Sequence, residues 1–185
     1  MGYLYVGRQI AQAIGLSLAD ALKTCVFQPA GLDTARLART PADLAGVNMG
    51  DARSYHPGWV YHGLVTGTTL DAARLLAALV GGKLLQARTM AQMCESRALP
   101  EHRSALHPDP AYGLGLMLSA HAAQDHPLGH SGAGPGSGIA VYALGGKVCA
   151  LWAAESSQTD ATAEAFKLLG TGFHLGAAWA NLLRQ

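Results

Sequence analysis

Residues 137–144 and 148–154 are two nearly continuous apolar runs, separated by Gly145-Gly146-Lys147. Two adjacent glycines at that point suit a type I′ turn, which needs positive φ at both central positions. The two runs are therefore expected to pair as an antiparallel hairpin. Strands that are apolar on both faces need cover on both faces, so helices must flank the sheet. A third run of strand character, residues 112–118, precedes them, and most of the helical signal lies further upstream. Helices, loops, strands and a final helix, in that order, predict an α+β fold: an antiparallel sheet flanked by helices. A chain of 185 residues, half of them apolar, is enough for one core and one domain spanning residues 1–185. Residues 1–110 hold mainly helices and loops, and residues 111–185 hold the strands and a C-terminal helix.

Glycine punctuates the upstream elements. Leu4, Ile10, Ala11 and Ile14 have helical spacing, and Gly15 sits where a C-cap belongs. Ser17 caps a second helix over 18–27, with Asp20 three residues on, and Pro29 and Gly31 end it. Residues 35–67 read as irregular. Thr68 or Thr69 caps a helix whose first turn holds Asp71, and Gly81-Gly82 stops it. A short helix follows over 88–93, then a surface loop over 95–110. Residues 160–185 read as helical, weakened by Gly170, Gly172 and Gly176.

Composition removes several function classes. A net charge of +1 and a charged fraction of 14%, against roughly 25% in an average protein, provide no basic footprint for nucleic acid. The longest apolar run, residues 75–85, is broken by Gly81, Gly82 and Lys83 and is too short to span a bilayer. The first residues lack the basic, apolar and small-residue segments of a secretory signal, so the compartment stays open. Cys25, Cys94 and Cys149 are far apart and form no CxxC pair, and buried free thiols are expected. The eight histidines match no metal-ligand spacing: Pro127 and Gly129 break the His126–His130 interval, and His102 and His107 lie in a loop. No metal and no cofactor is expected.

The chemistry-bearing stretch is Gly129-His130-Ser131-Gly132-Ala133. Gly132, Gly134, Gly136 and Gly138 imitate a phosphate loop, but such a loop must open a helix, and here an apolar strand follows. A second reading makes Ser131 the nucleophile of a GxSxG-like elbow, with Asp160 and His174 following in the α/β-hydrolase order. The elbow needs a helix after the serine, where this chain has glycines and a strand, and Asp160 also suits a helix cap. A third reading treats His130-Ser131-Gly132 as a short strand end whose backbone faces a substrate.

On that third reading the chain resembles the serine β-lactamase, penicillin-binding protein and esterase family, in its class C-like branch. That family combines Ser-x-x-Lys, Tyr-x-Asn and Lys/His-x-Gly on a sheet-edge strand, and His130-Ser131-Gly132 is similar to the third motif in its histidine form. Gly2-Tyr3-Leu4 with Gly7-Arg8-Gln9-Ile10 resembles the helix that follows the tyrosine motif. Phe27-Gln28-Pro29-Ala30-Gly31-Leu32 with Thr34, and Gly63-Leu64-Val65-Thr66 with Asp71-Ala72-Ala73-Arg74-Leu75, resemble later segments in the right order. Tyr112-Gly113-Leu114-Gly115 is similar to the strand before the third motif, and Gly136 follows that motif at the usual distance. Neither Ser-x-x-Lys nor Tyr-x-Asn occurs in the 185 residues; the resemblance places both upstream of Met1.

The resemblance implies acyl transfer by a serine activated by lysine and tyrosine, acting on a small-molecule β-lactam, peptide or carboxyl ester. In this chain it assigns the Ala133 N–H as an oxyanion-hole donor, His130 to the electrostatics of proton transfer, and Ser131 and Gly132 to substrate contact. Trp59 and Tyr61, in the Pro-Gly-Trp loop, are candidates for the pocket rim. Lacking the nucleophile, the chain alone is expected to be inactive. Without the family's N-terminal strands its sheet is expected to keep an open apolar edge that invites self-association. Two other classes stand beside this: an α/β-hydrolase-like esterase using Ser131, and a non-catalytic binding domain on the same scaffold.

Overall fold

Helix formation at the N-terminus follows the apolar spacing. The computed structural model describes residues 2–49, 52, 54–121 and 125–170. Helix α1 (Gly2–Ile14) ends as Gly15 turns to φ +72° and donates its N–H to the Ala11 carbonyl. Ser17 Oγ accepts from the Asp20 N–H at 3.2 Å and starts α2 (Leu18–Leu22). This helix runs on through a π-helical turn, Lys23–Phe27, into α3 (Gln28–Ala30), so Pro29 lies inside the last turn. Gly31, at φ +67°, terminates it. No single helix among the described residues is long and apolar enough to cross a membrane.

The stretch 35–67 is more ordered than its composition implies. Strands β1 (Arg36–Ala38) and β2 (Leu64–Thr66) pair antiparallel within it. Thr68 caps α4 (Thr69–Val80): its Oγ1 accepts from the Asp71 N–H at 3.1 Å. Helix α5 (Ala87–Cys94) follows. The expected loop 95–110 contains the short strand β3 (Arg97–Ala98), paired to β4 (Pro110–Tyr112). The single strand expected over 112–118 is two strands. Gly115, at φ +77°, reverses the chain after β4 and sends it back as β5 (Met117–Ser119).

Three longer strands complete the sheet: β6 (Leu128–Gly134), β7 (Ser137–Leu144) and β8 (Lys147–Ala154). The β7–β8 turn uses Gly145 and Gly146 at φ +55° and +78°, as the two glycines foretold. All six strands run antiparallel in the order β3-β4-β5-β6-β7-β8. Both faces are covered, as the apolar runs required. On one, α6 (Ala161–Gly170) packs Ala161, Ala165 and Leu169 against Ala140, Tyr142 and Ala153. On the other, Leu76 of α4 meets Ala111, Leu116, Leu118 and Ala143. Burying a leucine of this kind contributes about 1.5–3 kcal/mol. Tyr142 is wholly buried, with Phe166 edge-on to its ring at 4.8 Å.

Asp160 Oδ1 accepts from the N–H groups of Thr162 and Ala163 at 2.9 and 3.1 Å, which makes it the cap of α6. The rest of the helix expected over 160–185, with Gly172, His174 and Gly176, lies outside the described residues. The three thiols are free, but Cys25 is exposed rather than buried, because it sits on an outward side of the π-helical turn. Cys94 and Cys149 are half-buried, and burial pushes both thiols up.

Candidate active site

The sequence reading places His130-Ser131-Gly132 at a strand end on the sheet edge; the structure puts it in the middle of β6, an interior strand. The Pro135-Gly136 pair explains the difference. Pro135 and Gly136, the latter at φ +68°, are the two turn residues joining β6 to β7, so pairing continues to Gly134↔Ser137. His130, Ser131, Gly132 and Ala133 face Val141, Ala140, Ile139 and Gly138 across this ladder. Gly129 is required for so close a pairing: a Cβ there would stand 2.0 Å from the Val141 carbonyl oxygen.

On its other side β6 behaves as an edge after all. Strand β5 meets it only at Met117↔Gly129, so from His130 onward β6 outruns its neighbour. Gly132, Ala133 and Gly134 are exposed and line a groove of about 870 Å³, together with Met49, Thr66 and Trp152. A strand edge with unpaired N–H and C=O groups beside a groove can hold an extended substrate or an oxyanion by backbone hydrogen bonds.

The four motif residues diverge in what their side chains do. His130 is half-buried: its Nδ1 lies 2.5 Å from the Ser131 carbonyl oxygen and its Nε2 3.0 Å from the Tyr112 hydroxyl. The Tyr112 hydroxyl is in turn 3.3 Å from that of Tyr3, on α1. Burial first, then the hydrogen bond and charge of Tyr3, push the Tyr112 phenol up to about 12. Ser131 points away from this network, its Oγ 3.8 Å from Met117 Sδ on the side where Tyr142 and α6 pack. Ser131 is followed by a hairpin turn and not by a helix.

Trp59 and Tyr61 are exposed and do not line the groove. Trp59 closes the short helical turn Pro57–Trp59 and packs edge-on to Tyr55 at 5.4 Å. The same loop instead brings His62 to Tyr3, ring centres 6.1 Å apart. Sequence reasoning missed Tyr3 and Tyr112 as site residues. Both stand within the segments that carried the family resemblance, so the signal was present but was read only as a marker of secondary structure. Among the described residues no three His, Cys, Asp or Glu side chains gather as a metal site requires.

Comparison with known proteins accords with this fold. No curated protein sequence matches the chain. Among solved structures it is similar to a D-stereospecific amidohydrolase from Streptomyces sp., with TM-score 0.65 and 20% identity over 86% of this chain and 51% of that one. It is also similar to a penicillin binding protein from Bacillus halodurans, with TM-score 0.63 and 14% identity over 93% and 54%. The D-amino acid amidase from Ochrobactrum anthropi SV3 follows at TM-score 0.59 and 21% identity over 76% and 44%. The chain thus spans about half the length of these structures, which share its fold. A model of the family described as Beta-lactamase matches residues 1–171, and the chain belongs to the β-lactamase family.

Proposed function

We propose that this chain forms one wall of a serine hydrolase site that works through an acyl-enzyme on a β-lactam, amide, peptide or carboxyl ester. The observation that carries this reading is the edge of β6 beyond Gly129, unpaired by β5 and opening at Gly132 and Ala133 onto the groove. In this role the Ala133 N–H donates to the oxygen that becomes negative as the carbonyl is attacked. Removing one such donor costs roughly 100- to 1000-fold in rate. The β6 backbone from Gly132 to Gly134 lines the groove, and His130 stands two residues before it with its ring held by Tyr112 and the Ser131 carbonyl. The nucleophile and its bases come from elsewhere, because no Ser-x-x-Lys or Tyr-x-Asn occurs in the 185 residues and a serine hydroxyl without a base is a poor nucleophile at neutral pH. Amide hydrolysis, named for two of the structural neighbours, supports an acyl substrate, and the histidine form of the third motif favours an ester or a broad range.

The test is the coding DNA in frame upstream of the Met1 codon. The expected result is Tyr-x-Asn immediately before Met1 and Ser-x-x-Lys further up, with the longer protein hydrolysing an amide or ester. Ala133→Pro in that protein, which deletes the N–H, should lower kcat/KM at least 100-fold. An in-frame stop before Met1, or full activity in Ala133→Pro, overturns the reading.

A further inference from the structure

One strand, β5, separates Tyr112 from His130 in the sheet, so their strands lie two spacings or about 9.5 Å apart, yet the hydroxyl of one reaches the ring of the other. Tyr112 of β4 faces Met117 of β5, and Met117 faces Gly129 of β6, so Tyr112 lies in the row next to His130. Neighbouring rows of a pleated sheet face opposite sides, and the contact is made where β5 stops pairing with β6 and leaves His130 with no strand neighbour on that side. The two rings meet edge to face, centres 5.8 Å apart.

The direction of every proton in this chain follows from one group. The Ser131 carbonyl can only accept, so His130 Nδ1 carries the hydrogen. A neutral imidazole has a single N–H, which leaves Nε2 as an acceptor, and the Tyr112 O–H must donate to it. That commits the only proton of Tyr112, so in the 3.3 Å contact the Tyr3 O–H donates to the Tyr112 oxygen. The order is Tyr3 to Tyr112 to His130, and from the other face of the ring to Ser131. A carbonyl and the following N–H belong to one planar unit, so the ring's hold on the Ser131 oxygen also sets the direction of the Gly132 N–H, one residue before Ala133.

We infer that Tyr112, braced by Tyr3, is a positioning residue that holds His130 in its Nδ1–H tautomer and so fixes the β6 backbone ahead of Ala133. The inference rests on the acyl-transfer reading of this strand for its functional meaning. Both ring nitrogens of His130 are then occupied, and the residue orients the strand instead of acting as a free base. The same logic applies where a second partner of a histidine selects which nitrogen carries the proton.

The tautomer is visible by ¹⁵N NMR of the imidazole in the 185-residue chain, with no substrate present. In the neutral form His130 is expected to carry its hydrogen on Nδ1. Tyr112→Phe keeps the ring packing and removes the donor, and should raise the Nε2–H population several-fold. Tyr3→Phe, at an exposed position, should move it the same way by less. An Nε2–H ring in the unaltered chain, or the same tautomer population in Tyr112→Phe, overturns the inference. If Tyr112→Phe does not fold, the unaltered chain and Tyr3→Phe decide, and an unmoved population in Tyr3→Phe counts against. Missing turnover in the longer protein leaves the tautomer standing, and a wrong tautomer leaves the acyl-transfer reading standing, so the two failures are separable.

Discussion

Asp71 shows how one side chain joins parts of the chain that are far apart in sequence. It is buried at the first turn of α4, accepts the Thr34 N–H at 3.2 Å and the Thr34 hydroxyl, and has its own N–H capped by Thr68. Burial opposes its ionisation, but the Thr34 side-chain bond, then the backbone bonds of Thr34, Thr68 and Asp33, outweigh it and hold the carboxyl below its ordinary value. The folded pKa lies below the unfolded one, so the stabilisation is complete above about pH 4 and is lost as pH falls through the folded value. Thermal unfolding followed by circular dichroism from pH 7 to pH 3 should therefore show a falling midpoint, and Asp71→Asn should flatten that fall. Asp71→Ala removes the acceptor altogether and should cost about 1–3 kcal/mol at neutral pH. At this scale the sequence was partly legible. The sequence marks Asp71 as a first-turn anion for the helix dipole, whereas its bond to Thr34 depends on a contact 37 residues apart that no local pattern encodes.

Among the elements, the β6–β7 hairpin is the one on which the site depends, and its tolerance can be tested at two glycines. Gly129→Ala would put a Cβ 2.0 Å from the Val141 oxygen and 2.8 Å from Tyr142 Cα. Backbone atoms cannot yield as a flexible side chain does, so this variant should lose about 3 kcal/mol or more. Gly134→Ala in the same strand meets only Met49 Sδ at 3.5 Å and should stay within about 0.5 kcal/mol of the parent; urea titration distinguishes the two. The β7–β8 hairpin was readable because Gly145-Gly146 is a local turn signal between apolar runs. The full length of β6 was not, because its glycines carry no apolar alternation and its order comes from the ladder with β7. Tyr112-Gly113-Leu114-Gly115 reads as continuous strand for a related reason: the positive φ of Gly115 is invisible when a glycine sits between apolar residues. His130 stands out by its motif, but its partners, Tyr112 and Tyr3, meet it where the β5–β6 pairing ends and where α1 packs, and both are properties of the assembled sheet.

At the scale of the molecule, the sheet ends asymmetrically. On one side stands β3, two residues long; on the other stands β8, eight residues long with Lys147 as its single charge. No strand among the described residues pairs with the outer edge of β8. Trp152 of that strand and Ile139 beside it are 40% and 37% exposed. Long, apolar, uncharged edges recruit other strands, and we expect the isolated chain to associate through β8. Light scattering should report a species larger than 19.2 kDa, and Trp152→Lys should shift it towards the monomer. A sharp 19.2 kDa peak for the parent chain contradicts this. The same asymmetry fits the central claim, that these residues supply the backbone wall of an acyl-transfer site and not its nucleophile. The most direct measurement of that claim is the intact mass of the 185-residue chain after incubation with a β-lactam and with a serine-reactive phosphonate. An unmodified mass is expected with both reagents; a stoichiometric adduct with either one, above all one mapped to Ser131, overturns the claim.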